Sequence, residues 1–247
     1  DGTGETNRMP IAYAQSVSML QNTNRAITLT GSGAKLSPLT YAVVTPPVHG
    51  TLTGTPPDVI YTPATNYNGT DSFTFLVNNG ISNSAPATVS IAVWAGLPVS
   101  FTWKSAVSSN WSFGGNWTSG APAAPGQPFY TLNFTPSGTY SVTNDLNNGF
   151  VLNQLNVAGA VTFAGANSLA PTANGPLLPQ INQNSASAVT FNVPLSLAAM
   201  TGVGGTGGGT VTMPSVISGA GGLVKNGSGM LEIYGINPNT YSGGTII

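Results

Sequence analysis

The chain has 247 residues, and only 4% of them are charged, five basic and six acidic, for a net charge of −1. So few dispersed charges exclude a nucleic-acid footprint, which needs clustered Lys and Arg, and 40% hydrophobic residues argue against a disordered chain. The absence of cysteine excludes a disulfide framework, and no stretch approaches the roughly 20 apolar residues of a membrane-spanning helix.

The first 95 residues show the alternating pattern of short β-strands. In residues 25–30, Ala26 and Thr28 fall on one face, whereas Ile27 and Leu29 fall on the other. Turn-forming Gly, Pro and Asn separate stretches of this kind. Such stretches occur at residues 11–17, 25–30, 40–44, 50–53, 59–62, 72–77 and 87–93. Strands at this spacing predict an immunoglobulin-like sandwich over residues 1–95.

Several motifs of this segment stand in the order found in one family. They are TYAVVTPPVHGTLTG at 40–54, VIYTPATNYNGTDSFTFLVNNG at 59–80 and SAPATVSIAV at 84–93. Together they resemble the cadherin-like or Ig-like tandem domain of large bacterial surface adhesins, over about residues 8–95. The resemblance implies an Ig-like module outside the cell, from a family in which many domains bind calcium.

Residues 96–247 contain shorter and unevenly spaced strands. They are predicted at residues 131–134, 140–142, 151–152, 155–157, 161–163, 189–193 and 210–213. The stretch Gly202–Gly209 is predicted to be a mobile glycine-rich loop. The uneven spacing indicates irregular rungs or a sandwich-like cap before a more regular end, and no helix is predicted.

Residues 216–247 provide the regular end. Short apolar runs at 223–224 and 230–234 suit strands, and Gly227 and Gly229 supply turns between them. Strands this short are stable when coils stack into a solenoid with a continuous core. GLVKNGSGMLEIYG followed by NTYSGGTII resembles the autotransporter-associated β-strand repeat of secreted β-helical proteins, and the Trp-Ser and Asn-Trp pairs at 110–117 resemble the segment that opens such regions. The resemblance implies a β-helix or β-solenoid over about residues 96–247, so the predicted fold is an all-β chain.

Side chains able to perform acid–base chemistry are few and scattered. His49, the one histidine, stands in a Pro-Pro-x-His-Gly turn without an adjacent acid or serine, and histidine catalysis needs a positioned partner. Asp145 and Glu232 are the only carboxylates after residue 95, and nothing in the sequence brings them together as a glycosidase pair. We therefore expect no enzymatic activity, no catalytic residue and no cofactor.

The resemblance to adhesin domains raises the question of whether this chain binds calcium. A strong site needs about six to eight oxygen ligands with several carboxylates, and the clustered Asp motifs of such sites are absent. Asp71 is the one weak candidate, but its short side chain is better suited to accept hydrogen bonds from turn amides. We expect no bound metal.

Trp103, Trp111 and Trp117 are the candidate ligand-binding residues. They lie among Gly and Asn residues, and exposed indole rings stack on sugars. The alternative, which the sequence favours, is that they are buried and cover the mouth of the solenoid. An uncovered end would expose apolar rungs and unpaired strand edges.

The predicted function is structural. We expect a non-enzymatic segment of a secreted protein at the bacterial cell surface, acting as a self-associating fibre or filament subunit or as an adhesin stalk. The low charge removes repulsion between β-edges. The final strand is expected to accept another strand, either from a continuation of the chain or from a neighbouring subunit of a homo-oligomer. The candidate assembly edge comprises Tyr241, Thr245, Ile246 and Ile247. The alternative is an adhesin module that binds carbohydrate or a host protein.

Overall fold

A computed structural model describes residues 9–33, 38–235 and 238–247. Throughout these residues the chain is built from β-strands, with one short 3-10 turn at Gly114–Asn116. It divides into two compact units, Asp1–Ala95 and Gly96–Ile247. The all-β prediction is confirmed.

The first unit is built mainly from antiparallel strands. They are β1 (Ile11–Ala12), β2 (Gln15–Leu20), β3 (Arg25–Thr28), β4 (Gly31–Ser32), β5 (Thr40–Thr45), β6 (Gly50–Thr55), β7 (Asp58–Pro63), β8 (Gly69–Asn78) and β9 (Ala87–Trp94). One sheet has the order β2-β9-β8-β5, a second has the order β3-β7-β6, and β1 pairs with β4. Within the first sheet, β2 runs parallel to β9, whereas β8 is antiparallel to both of its neighbours.

Alternation along the strands builds the core of this unit. In β8, Asp71, Phe73, Phe75 and Val77 are buried, and the residues between them are more exposed. This period of two is the consequence of successive strand side chains pointing to opposite faces. Residues of the facing sheet, such as Tyr61, complete the same apolar cluster, which is the arrangement of a β-sandwich.

The second unit consists of strands of two to five residues. They are β10 (Val99–Thr102), β11 (Ser109–Asn110), β12 (Tyr130–Phe134), β13 (Thr139–Thr143), β14 (Phe150–Leu152), β15 (Gln154–Val157), β16 (Ala160–Ala164), β17 (Leu169–Pro171), β18 (Gln180–Gln183), β19 (Val189–Asn192), β20 (Leu195–Ser196), β21 (Thr201–Gly204), β22 (Val211–Met213), β23 (Ile217–Ser218), β24 (Leu223–Lys225), β25 (Leu231–Ile233) and β26 (Thr245–Ile246).

These strands form three parallel sheets that the chain visits in turn. Their orders are β10-β12-β15-β18-β21-β24-β26, β11-β13-β16-β19-β22-β25 and β14-β17-β20-β23. We call one circuit through the sheets a coil. Thr201 pairs with Leu223, and Leu223 pairs with Thr245, so the last coils are each 22 residues long. Leu155 pairs with Ile181, so an earlier coil is longer, and its extra residues lie in the corners.

Apolar side chains stack from coil to coil inside these sheets. The rings of Phe134 and Phe163 are 5.0 Å apart, and those of Phe163 and Phe191 are 4.8 Å apart. None of the three is more than 1% exposed. Because Phe163 and Phe191 are direct register partners on neighbouring strands, like side chains lie above one another and fill the core continuously.

The predicted glycine-rich loop at Gly202–Gly209 begins as a strand, so the prediction is wrong for its first residues. Its first residues belong to β21, which is hydrogen-bonded between β18 and β24. Gly209 donates its backbone N–H to the carbonyl of Ser185 in the preceding coil, at 3.0 Å. A Cβ atom at Gly209 would collide with the backbone of Ser187. Glycine is required there because neighbouring coils approach too closely for a side chain.

Candidate functional site at the ends of the parallel-sheet unit

Three tryptophans lie at the start of the core stack in the second unit. Trp103, Trp111 and Trp117 are 1%, 0% and 1% exposed. The rings of Trp103 and Trp117 meet edge to face, with centroids 5.0 Å apart. All three indoles lie 5.5 to 5.8 Å from the ring of Phe134. Because Phe134 leads on to Phe163, the tryptophans occupy the first level of the stack.

Polar contacts fasten this aromatic cluster in place. Trp117 Nε1 donates to the carbonyl of Trp111 at 2.9 Å. Asp145 accepts two hydrogen bonds from Ser112, at 2.9 Å from its backbone N–H and 2.5 Å from its hydroxyl. Burial raises the pKa of Asp145, but the Ser112 bonds outweigh that effect, so the pKa lies below its ordinary value. The Asp145 carboxylate therefore connects the segment that contains Trp111 to the corner after β13.

Of the two roles considered for Trp103, Trp111 and Trp117, the structure contradicts sugar stacking and agrees with burial. An indole that stacks on a sugar needs an accessible ring face, and the burial of these three rings leaves none free. Large aromatic side chains bury more apolar area against Phe134 than they would on a surface loop. The cluster instead covers the beginning of the core.

The opposite end of the second unit is open. Within the described residues, β26, β25 and β23 are the last strands of their sheets. Leu231 and Ile233 pack against the core but remain half-buried, and Ile246 is 58% exposed. A cleft of about 260 Å³ lies here, lined by Lys225, Leu231, Ile233, Thr245 and Ile247. We call this surface, together with Ile246, the open end.

A lysine occupies a core-facing position beside the open end. The inward column of the first parallel sheet runs through the buried residues Leu132, Leu155, Ile181 and Val203, and its next register partner is Lys225. Lys225 Nζ donates to the carbonyls of Asn226 and Gly227, both at 2.9 Å. The alkyl stem thus continues the apolar column, while the ammonium group binds the corner.

The four residues predicted as an assembly edge lie together at this end. Thr245 and Ile246 form β26, which pairs with β24 on one side and with no strand of the described residues on the other. The Tyr241 hydroxyl and Thr245 Oγ1 are 2.6 Å apart, and the Tyr241 ring packs against the core. Ile247, which follows β26, is fully exposed.

Asp71, the calcium candidate, is occupied by hydrogen-bond donors of the first unit. Its Oδ1 accepts from the backbone N–H groups of Val48 at 3.0 Å and Ser72 at 2.8 Å. Its Oδ2 accepts from the backbone N–H of His49 at 3.0 Å and the hydroxyl of Tyr61 at 2.8 Å. These donors take the lone pairs that a calcium ion would need. Asp71 therefore fastens the turn before β6.

The remaining titratable side chains of interest lie in separate surroundings. The ring of His49 stacks on Tyr67 with centroids 4.4 Å apart. Glu232 accepts from the hydroxyl of Thr212 at 3.3 Å, whereas Asp145 is bound to Ser112. Within residues 9–33, 38–235 and 238–247, no cluster of three or more His, Cys, Asp or Glu side chains is arranged to hold a metal ion. Over the same residues, no helix is long and apolar enough to span a membrane.

Sequence reasoning missed a ladder of asparagines on the outer face of the first parallel sheet. Asn156 Nδ2 donates to Asn133 Oδ1 and Asn182 Nδ2 donates to Asn156 Oδ1, both at 2.8 Å. The neighbouring outward column contains Thr131, Gln154 and Gln180, and all six side chains are partly exposed. No local signal marks the ladder, because the coils that bring the asparagines into register differ in length. We call these six residues the amide face.

A family comparison bears on the first unit. Residues 7–92, roughly a third of the chain, match the family model of the bacterial Ig domain. The first unit is similar to bacterial Ig domains. This match confirms the Ig-like part of the prediction, and it indicates a surface or structural protein.

Solved structures resemble the chain only distantly. An endo-fucoidan hydrolase from glycoside hydrolase family 107 and a variant of that enzyme align with TM-scores of 0.29 and 0.28, at 16% and 15% identity. Each alignment covers 42% of this chain and 18% of the other, so the chain spans less than a fifth of the length of these enzymes. Likeness at this level carries no argument about function. No curated protein matches the chain.

Proposed function

We propose that the chain is a structural, non-enzymatic segment of a protein on the bacterial cell surface. The first unit acts as an Ig-like spacer. Residues 96–247 form a β-solenoid of the autotransporter-repeat type, which acts as a stalk and pairs with a second copy through its open end. The observation that carries this proposal is the open end itself, where core residues of the last coils stay partly exposed.

The coil geometry supports the solenoid part of the proposal. Strands of the same sheet are joined by a full circuit through the other sheets, and all their pairings are parallel and in register. Each coil contacts only its neighbours, so length is gained by adding coils without rebuilding the core. A stack with few charges and one continuous apolar core is suited to a spacer, since packing between coils stabilises it.

The difference between the two ends supports a second copy as the occupant. The first coil is covered by buried tryptophans, whereas the last coils leave Ile246 at 58% and Met230 at 59% exposure. A free strand edge flanked by apolar side chains is a template for strand addition. Pairing between the open ends of two copies would be an isologous contact.

The charge distribution at the open end favours this pairing. After Lys104 the only charged residues are Asp145, Lys225 and Glu232. Lys225 and Glu232 lie in β24 and β25 beside the open end and have opposite signs. Two copies brought together there carry no net repulsion, and a lysine of one copy can face a glutamate of the other.

Sedimentation velocity over a range of concentrations tests the proposal. The wild-type chain is expected to form larger species as its concentration rises. Ile246→Lys, which puts a charge on the free edge, is expected to shift the equilibrium to the monomer. Ile81→Lys is the matched control, because Ile81 is 71% exposed and lies in the first unit. A wild-type monomer at every concentration contradicts the proposal, as does an equal effect of both variants.

The size of the assembly distinguishes the stalk from a fibre subunit. A dimer that does not grow further indicates a stalk whose open end meets one partner. Longer species that grow with concentration indicate a filament, which requires a second and different contact on each copy.

The amide face favours a second candidate function, the binding of a neutral polysaccharide. Its Asn side chains are held by hydrogen bonds to one another, so they are ordered before a ligand arrives. Asn156 and Asn182 each donate only one N–H within the ladder, so each retains a second N–H for a sugar hydroxyl. Neighbouring strands repeat these groups at about 4.8 Å along the sheet, which suits an extended chain of hydroxyl-bearing units.

A glycan array of neutral polysaccharides tests this second function. Asn156→Ala, at the centre of the ladder, is expected to weaken any binding that the wild-type chain shows. Thr190→Ala is the matched control on an outward column of the neighbouring sheet. Equal binding by wild type and Asn156→Ala rules out the amide face as the binding surface.

A further inference from the structure

Five Asn-Gly pairs occur in the chain, at residues 68–69, 79–80, 148–149, 174–175 and 226–227. In such a pair the backbone nitrogen of glycine can attack the side-chain amide carbon of asparagine. The attack is least hindered before glycine, which has no side chain and the widest backbone freedom. Whether it occurs depends on how firmly each asparagine is held.

Most of these asparagines are restrained. Asn79 is 2% exposed, and its Oδ1 accepts from the backbone N–H groups of two following residues. Asn174 is 1% exposed, and its Nδ2 donates to the carbonyl of Gly96 at 3.1 Å. Asn148 Oδ1 accepts from both the backbone N–H and the hydroxyl of Ser168. Each of these side chains must break hydrogen bonds before its amide carbon can meet the next nitrogen.

Asn68 is restrained in another way, through the glycine that follows it. Gly69 is the first residue of β8 and the register partner of Val93. Its nitrogen is therefore part of a paired strand, and Asn68 is itself partly buried.

Asn226 differs from the other four. It is exposed and lies in the corner after β24. Within the described residues, its side-chain amide has no hydrogen-bond partner, and the N–H of Gly227 has no acceptor. Both the electrophile and the nucleophile of the reaction are therefore free of competing hydrogen bonds.

Lys225 adds a chemical activation at this pair. Its Nζ donates to the carbonyl oxygen of Asn226 at 2.9 Å, and this carbonyl belongs to the same peptide group as the Gly227 N–H. When that N–H loses its proton, the negative charge spreads onto the carbonyl oxygen. A charge-assisted hydrogen bond to the oxygen stabilises the anion and so assists formation of the nucleophile.

We propose that Asn226 is a site of spontaneous deamidation, with Lys225 as the residue that promotes it. The Gly227 nitrogen forms a bond to Cγ of Asn226 and loses its proton, the side-chain NH2 gains one proton and leaves as ammonia, and a succinimide remains. Water then cleaves one of the two imide carbon–nitrogen bonds. Opening at Cγ gives aspartate, and opening at the backbone carbonyl gives isoaspartate.

Both products change the corner between β24 and β25. Gly227 has a φ of 73°, and an added Cβ there would lie 2.6 Å from the carbonyl oxygen of Gly205 in the preceding coil. An isoaspartate inserts one extra atom into the main chain at this closely packed corner. Aspartate places a carboxylate next to Lys225. The inference does not depend on pairing between copies, although the modified corner adjoins the open end.

Chymotryptic peptide mapping of the intact chain after incubation in mildly basic buffer tests the proposal. Asp and isoAsp are expected to accumulate at residue 226 several-fold faster than at residues 68 and 148, which serve as internal controls. Lys225→Met retains the Asn-Gly pair and is expected to slow the reaction at residue 226 about tenfold, the effect of losing one charge-assisted hydrogen bond. Asn226→Gln is expected to abolish the products there.

Two results would overturn the proposal. If Asn226 deamidates no faster than Asn148, then exposure and the lack of competing hydrogen bonds do not determine the site of reaction. An unchanged rate in Lys225→Met removes the lysine from the mechanism. Circular dichroism of each variant distinguishes a change in rate from a change in folding. Because the readout is covalent, it is independent of self-association.

Discussion

At the residue scale, Asp71 joins segments of the first unit that are distant in sequence. It is 8% exposed and accepts from two N–H groups of the turn before β6, from Tyr61 and from Ser72. Burial raises its pKa, but hydrogen bonds from Tyr61, Val48, Ser72 and His49 outweigh that effect and keep the pKa below its ordinary value. The same burial and the neighbouring carboxylate raise the pKa of Tyr61. The charged carboxylate is therefore the form that stabilises the fold.

Asp71→Asn tests this role. We expect the free energy of unfolding to fall by about 2 kcal/mol at neutral pH, because charge-assisted hydrogen bonds become weaker neutral ones. Urea denaturation followed by circular dichroism measures the loss. The control is Asp58→Asn, since Asp58 is exposed and its carboxylate accepts a hydrogen bond from the Thr28 hydroxyl. An equal loss in both variants would contradict the role of Asp71.

The pH dependence of stability follows from the lowered pKa of Asp71. Its contribution is complete above the unfolded-state pKa of about 3.9 and is lost as the pH falls through the lower folded-state pKa, because the unfolded chain then binds more protons. We expect wild type to lose stability in that acidic range more steeply than Asp71→Asn. Urea midpoints measured from neutral to acidic pH check this, and parallel curves would contradict it.

The sequence predicted several of these residue-level features. The position of Asp71 in a turn-rich motif favoured turn bonding over metal binding, and the structure has that bonding. The partner Tyr61 was not predictable, because its hydroxyl reaches Asp71 from the facing sheet.

At the scale of elements, the parallel strands are held together by stacking between coils. Phe163 lies between Phe134 and Phe191, in contact with both rings, and is 1% exposed. The strands themselves are too short to be stable alone. The aromatic stack thus connects three successive coils.

Phe163→Ala is expected to reduce the free energy of unfolding of the second unit by about 4 kcal/mol, because it leaves a cavity between two rings. Phe163→Leu is the conservative comparison and should cost less. Thermal unfolding by calorimetry measures both losses. A loss below about 1 kcal/mol for the alanine variant would show that neighbouring coils do not depend on the stack.

The tryptophan cluster permits a spectroscopic test of the covered end. Trp94 is partly exposed in the first unit, so Trp94→Phe leaves emission from the three buried indoles alone. We expect that variant to show blue-shifted fluorescence and weak quenching by acrylamide, since no ring face is accessible to solvent. Strong quenching would mean that the start of the core is uncovered.

At the scale of the whole molecule, local patterns predicted only part of the strands and little of their pairing. In the second unit β17, β18 and β20 were not predicted, and β21 lies in a segment predicted as a loop. Each strand predicted in the second unit is present, because apolar alternation such as Val161 and Phe163 is a local signal. The Asn133, Asn156 and Asn182 ladder was not predictable, since corner length sets the register and varies from coil to coil. Gly202–Gly209 was misread for a related reason. A run of glycines in a sequence usually indicates a flexible loop. Here the glycines are present because the neighbouring coil lies too close for side chains.

The function proposed for the whole molecule rests on the contrast between its covered and open ends. Buried tryptophans cover one end, whereas at the other end β26 pairs on one side only among the described residues, and Ile246 is exposed. The chain contains no cysteine. A disulfide formed after one cysteine is introduced therefore shows that two copies meet at that position. In antiparallel pairing of two β26 edges, opposed Cα atoms lie about 4.5 to 5.5 Å apart, which is within disulfide range.

Disulfide cross-linking at this edge is therefore the most direct measurement. Thr245→Cys and Ile246→Cys, separately and mixed, are oxidised at a concentration where the wild-type chain self-associates, with Ser18→Cys in the first unit as the exposed control. We expect rapid formation of covalent dimers by the β26 variants and few dimers from Ser18→Cys. Equal cross-linking at all three positions, or none at β26, would contradict pairing through the open end.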